Sequence, residues 1–144
     1  MIEAKAVNHI GIAVRSLDEH RAFYERTLGA VFEGIEEVPD QKVRVGFFLV
    51  GPPGHEVRLE LLEPMADDSP IAGFLEKRGE GLHHVAYTVS GIQSRIDALK
   101  DGGVRMIDET PRGGAHHTRI AFLHPKSSKG VLTELCEPAA GEGR

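Results

Sequence analysis

Two histidines and two glutamates recur in this chain at nearly one spacing. His9 and His84, 75 residues apart, each open an apolar run, and Glu60 and Glu134, 74 residues apart, each begin a Glu-Leu-X-Glu-Pro motif. Two imidazoles and two carboxylates make a mixed nitrogen and oxygen ligand set. Such a set suits an octahedral divalent ion such as cobalt, nickel, manganese or zinc, with two positions left for water or substrate. The residue types therefore predict a partly buried metal site.

The same spacing extends to other positions. The segment 16–19 has a counterpart 74 residues later at 90–93, and Gly29 has one in Gly103. Four ordered pairs at one offset indicate an internal duplication. Because alternate residues of a strand share a face, two copies related by a pseudo-two-fold axis would bring the two histidines and the two glutamates together.

The first copy predicts a strand, a helix and three further strands. Ser16 offers an N-cap oxygen with Glu19 at the capping-box spacing, and the apolar stripe that follows ends at Gly29, which suits a left-handed stop. Alternation and turn residues place the strands at Ala6–Val14, Ala30–Glu37, Val43–Leu49 and Val57–Leu62.

The second copy repeats this order after a linker. Ser69 followed by Pro70 predicts a capped helix at Ile71–Lys77. The glycine-rich segment 111–117 is expected to be a mobile loop beside the site. The other predicted elements are a strand at Leu82–Val89, a helix at Ile92–Lys100 and strands at Val104–Ile107, Arg119–Phe122 and Val131–Leu135.

These elements define an α+β fold in which two tandem βαβββ modules form a curved mixed sheet around a central metal site. The modules span about 6–64 and 82–138, and a linker with a short helix (65–81) joins them into a single domain covering 1–144. The concave face of the sheet is the expected functional site.

Composition excludes several classes of protein. The chain of 144 residues is 40% hydrophobic and 27% charged, which is typical of a soluble globular domain. A formal charge of −5 argues against a broad nucleic-acid-binding face, and no apolar run approaches the length of a membrane span. The single cysteine, Cys136, excludes an intrachain disulfide and favours a reducing compartment. We expect a cytoplasmic protein, or one of the mitochondrial matrix if a transit peptide is removed.

Several segments carry a resemblance to a known superfamily, and together they cover the chain from about His9 to Pro138. Two of them, one near the start of each copy, resemble the paired modules of the vicinal oxygen chelate superfamily: Asn8–Val14 and Gly81–Tyr87. Three more resemble the methylmalonyl-CoA epimerase family within it: Asp68–Leu75, Phe122–Lys126 and Gly130–Leu135.

The resemblance implies metal ligation by His9, Glu60, His84 and Glu134, with cobalt the first choice among the divalent ions. It also implies an isomerase of the racemase/epimerase class that acts on an acyl-CoA. The expected reaction interconverts (2R)- and (2S)-methylmalonyl-CoA by removal and return of the C2 proton through a metal-stabilised enolate.

The roles of individual residues follow from this reaction. Glu134 and Glu60, the repeat-matched carboxylates within strands, are the candidate acid/base groups. Lys126 and Lys129 are the candidate contacts of the CoA phosphates, with two arginines in reserve, Arg112 and Arg119. A homodimer is expected, because a curved open sheet leaves edges that need cover.

This sequence departs from some family members at two positions. Those members have glutamine at the position of Glu60 and a candidate basic glutamate at the position of Val45, so their acid/base pair is not present here. Two other carboxylates, Glu36 and Glu37, precede a turn and are expected to face solvent.

Three other functions use the same fold. A glyoxalase I-type lactoylglutathione lyase has the same ligand set, and the 68–75 and 122–126 motifs favour the epimerase over it. An extradiol dioxygenase needs a two-histidine, one-carboxylate iron site, so the fourth ligand here argues against it. A non-catalytic small-molecule-binding resistance protein needs no metal, and four retained ligands argue against that function.

Overall fold

The computed structural model describes residues 1–140, which divide into two compact units. The first unit is His9–His83, and the second combines Met1–Asn8 with the described residues from His84 onward. No helix among residues 1–140 is long and apolar enough to cross a membrane.

The first unit contains a four-stranded mixed sheet with the strand order β2-β3-β4-β1. Strand β4 pairs parallel with β1 and antiparallel with β3, and β3 pairs antiparallel with β2. The elements are β1 (Ala6–Ala13, in this unit from His9), α1 (Leu17–Ala22, continued by a π-helical turn at Phe23–Thr27), β2 (Val31–Val38), β3 (Val43–Val50), β4 (Val57–Pro64) and α2 (Pro70–Arg78).

Local sequence chemistry accounts for the limits of the helices in this unit. The Glu19 N–H donates to the Ser16 hydroxyl at the start of α1, and Gly29 has the positive φ of 70° that ends the helical segment. Ser69 accepts from the Ile71 N–H at the start of α2, as predicted from the sequence.

The helix α1 covers one face of the first unit's sheet. Leu17 and Tyr24 pack there with Phe48 and Leu61 in one buried cluster, to which Phe32 adds a partly buried ring. Side chains of the opposite face alternate with these along each strand. We call that opposite face, which carries Glu60, the Glu60 face.

The second unit repeats the arrangement with the strand order β5-β8-β7-β6, in which β8 pairs parallel with β5 and antiparallel with β7. This shared pairing pattern agrees with the internal duplication. The elements are β5 (Gly81–Thr88, in this unit from His84), α3 (Ile92–Asp101), β6 (Arg112–Gly113), a 3₁₀ turn at Ala115–His117, β7 (Arg119–Phe122) and β8 (Thr133–Glu137).

One predicted strand of the second unit is wrong. Residues 104–107 form no strand, and only Met106 makes an isolated bridge, to Leu123. The apolar alternation there instead packs Val104 and Met106 against the core of α3, β7 and β8. The third position in the βαβββ order is taken by β6, which lies in the segment 111–117 that we expected to be a loop. That segment also contains the 3₁₀ turn.

The order of elements confirms the predicted fold class, an α+β chain of two tandem βαβββ modules. The grouping into a single domain with modules at 6–64 and 82–138 stays a prediction.

Candidate metal centre

The first predicted ligand pair lies on neighbouring strands of the first unit. In the parallel register of β1 and β4, His9 lies opposite Arg58, and Gly11 lies opposite Glu60. His9 Nδ1 is 3.2 Å from Glu60 Oε2, and the two residues are only 4% and 7% exposed. The structure thus brings these two predicted site residues together in a buried position.

The environment of Glu60 favours a bound cation. Burial raises the pKa of Glu60 to about 8; the Arg58 guanidinium opposes this rise and the Glu36 carboxylate adds to it. A carboxylate that burial keeps protonated near neutral pH becomes ionised beside a divalent cation, whose charge replaces the lost hydration. The pair therefore fits a metal by its donor atoms and by its burial.

The second ligand pair has the same form in the second unit. His84 Nε2 is 3.4 Å from Glu134 Oε1, and the two residues are 4% and 2% exposed. Glu134 lies opposite Ala86 in the parallel register of β5 and β8. The Phe122 ring packs edge-on against His84 at 5.4 Å between centroids, so an apolar wall covers one side of the imidazole.

His83, the histidine next to His84, has a different environment. Its ring packs against Phe74 of α2 with 4.9 Å between centroids. Burial lowers the pKa of His83 to about 4, with a smaller contribution from the charge of Arg78. The imidazole of His83 is thus neutral at physiological pH and packs within the first unit.

The second glutamate of each Glu-Leu-X-Glu-Pro motif has a structural role that the sequence analysis missed. In the first unit, Glu63 accepts from the Leu17 N–H at 2.8 Å, at the start of α1, and Arg44 Nη1 lies 2.7 Å from the other carboxylate oxygen. Glu63 therefore connects β4 to the N-terminus of α1, where a negative charge is stabilising.

Glu137 repeats this role in the second unit. It accepts from the backbone N–H groups of Gly91 and Ile92 at the start of α3, and Arg119 Nη1 lies 3.3 Å from it. In each repeat the first glutamate of the motif is a candidate ligand, and the second fixes the neighbouring helix. The 74-residue spacing of both glutamates was the signal that could have revealed this second role.

Glu36 lies elsewhere than the sequence analysis expected. A bulge between Phe32 and Gly34 adds one residue to β2, so that Gly34 lies opposite Phe47 and Glu36 lies opposite Val45. Glu36 is consequently half-buried on the Glu60 face. The expectation that it faces solvent is wrong, whereas the exposed Glu37 meets that expectation.

The predicted phosphate contacts, Lys126 and Lys129, are exposed residues of the turn that follows His124. The Lys126 N–H donates to His124 Nδ1 at 3.1 Å, which helps to shape this turn. The reserve arginines have carboxylate partners: Arg112 pairs with Asp108 at 2.9 Å, and Arg119 pairs with Glu137 as described above.

With this fold and these His–Glu pairs, the chain belongs to the glyoxalase/bleomycin resistance protein/dioxygenase superfamily, whose sequence pattern matches residues 8–122. Its relatives within the superfamily include methylmalonyl-CoA epimerases. YqjC of Bacillus subtilis is 48% identical over 92% of this chain and 91% of its own length. The ethylmalonyl-CoA/methylmalonyl-CoA epimerase of Cereibacter sphaeroides is 42% identical over 90% of this chain and 95% of its own length.

A solved structure agrees with these sequence relationships. A variant of Streptomyces coelicolor methylmalonyl-CoA epimerase, in complex with 2-nitronate-propionyl-CoA, is 37% identical and has a TM-score of 0.90. The similarity covers 99% of this chain and 100% of that one. The prediction of an enzyme of the racemase/epimerase class is confirmed by these relatives.

Proposed function

We propose that this chain interconverts the (2R) and (2S) epimers of methylmalonyl-CoA in a metal-dependent reaction. The observation that carries the proposal is a buried His–Glu pair at equivalent positions of both repeats, in a chain 42% identical to a named epimerase of this substrate class. Epimerisation at C2 needs a stabilised negative charge and two proton-transfer groups on opposite faces of the carbon.

We assign one divalent ion to the two pairs together, with His9, Glu60, His84 and Glu134 as its ligands and cobalt as the first candidate, before nickel, manganese or zinc. The support is the donor chemistry, the burial of all four side chains and the raised pKa of Glu60. When bound, such an ion supplies Lewis-acid stabilisation of the charge that develops on the thioester oxygen.

Glu134 is the first proposed proton-transfer group. It is buried beside His84, and its exclusion from water strengthens its interaction with a reacting C–H group in an apolar site. Glu60 is its repeat partner and the second group that the sequence suggests. Because a carboxylate held by a cation is a weaker base, Glu60 would have to leave the ion during turnover to take that role.

The CoA portion is assigned to the exposed cations Lys126 and Lys129, which can approach phosphate groups without desolvating a buried charge. The homodimer and the cytoplasmic location both stay predictions.

Proton NMR in deuterated water tests the proposal. The chain is stripped with a chelator, reloaded with cobalt and given (2R)- or (2S)-methylmalonyl-CoA. Deuterium should enter C2 and optical purity should be lost only in the reloaded protein. Turnover of the methylglyoxal–glutathione adduct without C2 exchange would instead indicate the lyase, and inactivity with both substrates in a protein that retains no metal would indicate a binding module.

A further inference from the structure

The Glu60 face of the first unit carries a second carboxylate. Glu36 on β2 lies opposite Val45 on β3, and Val45 lies opposite Leu62 on β4. Phe47 lies opposite Glu60 in the same pairing of β3 with β4. Because residues that lie opposite each other in an antiparallel pair project to one face, Glu36 and Glu60 point to the same side of the sheet.

Apolar side chains separate the two carboxylates. Val45, Phe47 and Leu62 are buried and lie on the same face between Glu36 and Glu60. Two strand spacings and two residues along the strand put the two Cα atoms about 10 Å apart across the sheet and about 7 Å apart along it. Glu36 is therefore too distant to share an ion with Glu60, and instead faces a small group that lies on this apolar floor.

Electrostatic coupling agrees with this placement. The charge of Glu36 contributes to the raised pKa of Glu60, after burial and against the effect of Arg58. The two carboxylates thus interact through the space above the apolar floor, where a group bound beside Glu60 would lie.

Other carboxylates on β2 and β4 have different positions or partners. Glu33, at the bulge, lies with Oε1 3.4 Å from Arg58 Nη2. Glu37 is exposed and lies opposite Arg44, on the other face. Glu63 also belongs to the other face, where it caps α1. Glu36 is left as the half-buried carboxylate that shares the floor with Glu60.

We propose that Glu36 is the second proton-transfer group of the epimerase, so that Glu60 serves as a ligand and Glu36 and Glu134 act on the two faces of C2. This inference rests on the proposed function. It also explains how the chain can work with Val45, which carries no proton, on the central strand beside Glu36.

The proton balance of the step is complete within the chain and the substrate. The Glu36 carboxylate takes the C2 proton of one epimer, and the electron pair of the C–H bond moves into the thioester carbonyl. The Glu134 carboxylic acid then gives its proton to the other face of C2. Glu36 ends protonated and Glu134 ends ionised, which is the state that starts the reverse reaction, and solvent exchange resets both groups.

The substitution Glu36→Gln tests the inference, with Glu37→Gln as a matched control on the adjacent, exposed position. Each cobalt-loaded variant is given each epimer separately in deuterated water. Epimerisation by Glu36→Gln should fall about 100-fold or more, the range expected for a general acid or base. Its cobalt content should match that of the unsubstituted chain, and Glu37→Gln should epimerise normally.

The exchange pattern separates a catalytic role from a structural one. Glu36→Gln should still incorporate deuterium at C2 of the one epimer whose proton Glu134 removes, and should lose exchange from the other. Epimerisation within about threefold of the unsubstituted chain would overturn the inference, and so would loss of exchange from both epimers together with loss of cobalt. If the unsubstituted chain epimerises neither substrate, the proposed function fails and the inference fails with it.

Discussion

Replacing Glu63 by glutamine should destabilise the first unit, although the substitution preserves the shape of the side chain. The carboxylate accepts from the Leu17 N–H at 2.8 Å and pairs with Arg44 at 2.7 Å, and its side chain is only 17% exposed. Glutamine retains one oxygen and loses the charge that both contacts use. The start of α1 and the end of β4 would then be held by weaker, neutral hydrogen bonds.

The magnitude follows from the difference between charged and neutral hydrogen bonds. A hydrogen bond to a charged group contributes about 1.5–3 kcal/mol, against about 0.5–1.5 kcal/mol for a neutral one. Two such contacts, one of them to an arginine that is 40% exposed, give a loss of about 1–2 kcal/mol for Glu63→Gln. At about 2–4 °C per kcal/mol for a chain of this size, the melting temperature should fall by about 2–8 °C.

Urea unfolding followed by circular dichroism measures this change, with the metal-free protein used so that cation binding does not contribute. Glu76→Gln, an exposed position on α2, is the matched control and should change the free energy of unfolding by less than about 0.5 kcal/mol. Glu137→Gln should cost less than Glu63→Gln, because Arg119 is more exposed and its contact is longer at 3.3 Å. A Glu63→Gln protein as stable as the control would refute the reasoning.

Three further predictions use other parts of the chain. Ser69→Ala should cost about 1 kcal/mol of unfolding free energy in urea, because the buried hydroxyl caps α2; no change would remove that role. The metal-free chain should lose stability as pH rises from about 4.5 to about 8, because folded Glu60 keeps a proton that the unfolded chain releases. Unfolding curves across that range should show the loss, and Glu60→Gln should flatten it; an equal slope in both proteins would contradict the prediction. Joint replacement of Lys126 and Lys129 by glutamine should raise KM for the acyl-CoA about tenfold at low salt and leave kcat unchanged; an unchanged KM would remove them from the phosphate site.

The ligand types and the first helix cap could be predicted because their signals are local or repeated. A histidine and a glutamate at matched offsets point to one site regardless of how the strands pair, and Ser16 caps α1 through its own neighbours. The strand predicted at 104–107 failed for a physical reason. Its apolar residues pack against α3, while the backbone pairing with β7 is made by Arg112 and Gly113. Alternation alone cannot separate packing from pairing.

By itself the sequence determined the two repeats, the His–Glu pairs and the signals that start and end the first helices, because each depends on neighbouring residues or on the duplication. Tertiary structure decided which face Glu36 occupies. One extra residue at the bulge between Phe32 and Gly34 reverses the alternation of β2, and only the pairing with β3 reveals it. It also decided that Glu63 caps a helix 46 residues earlier in the chain, because strand pairing and helix packing bring β4 beside the start of α1.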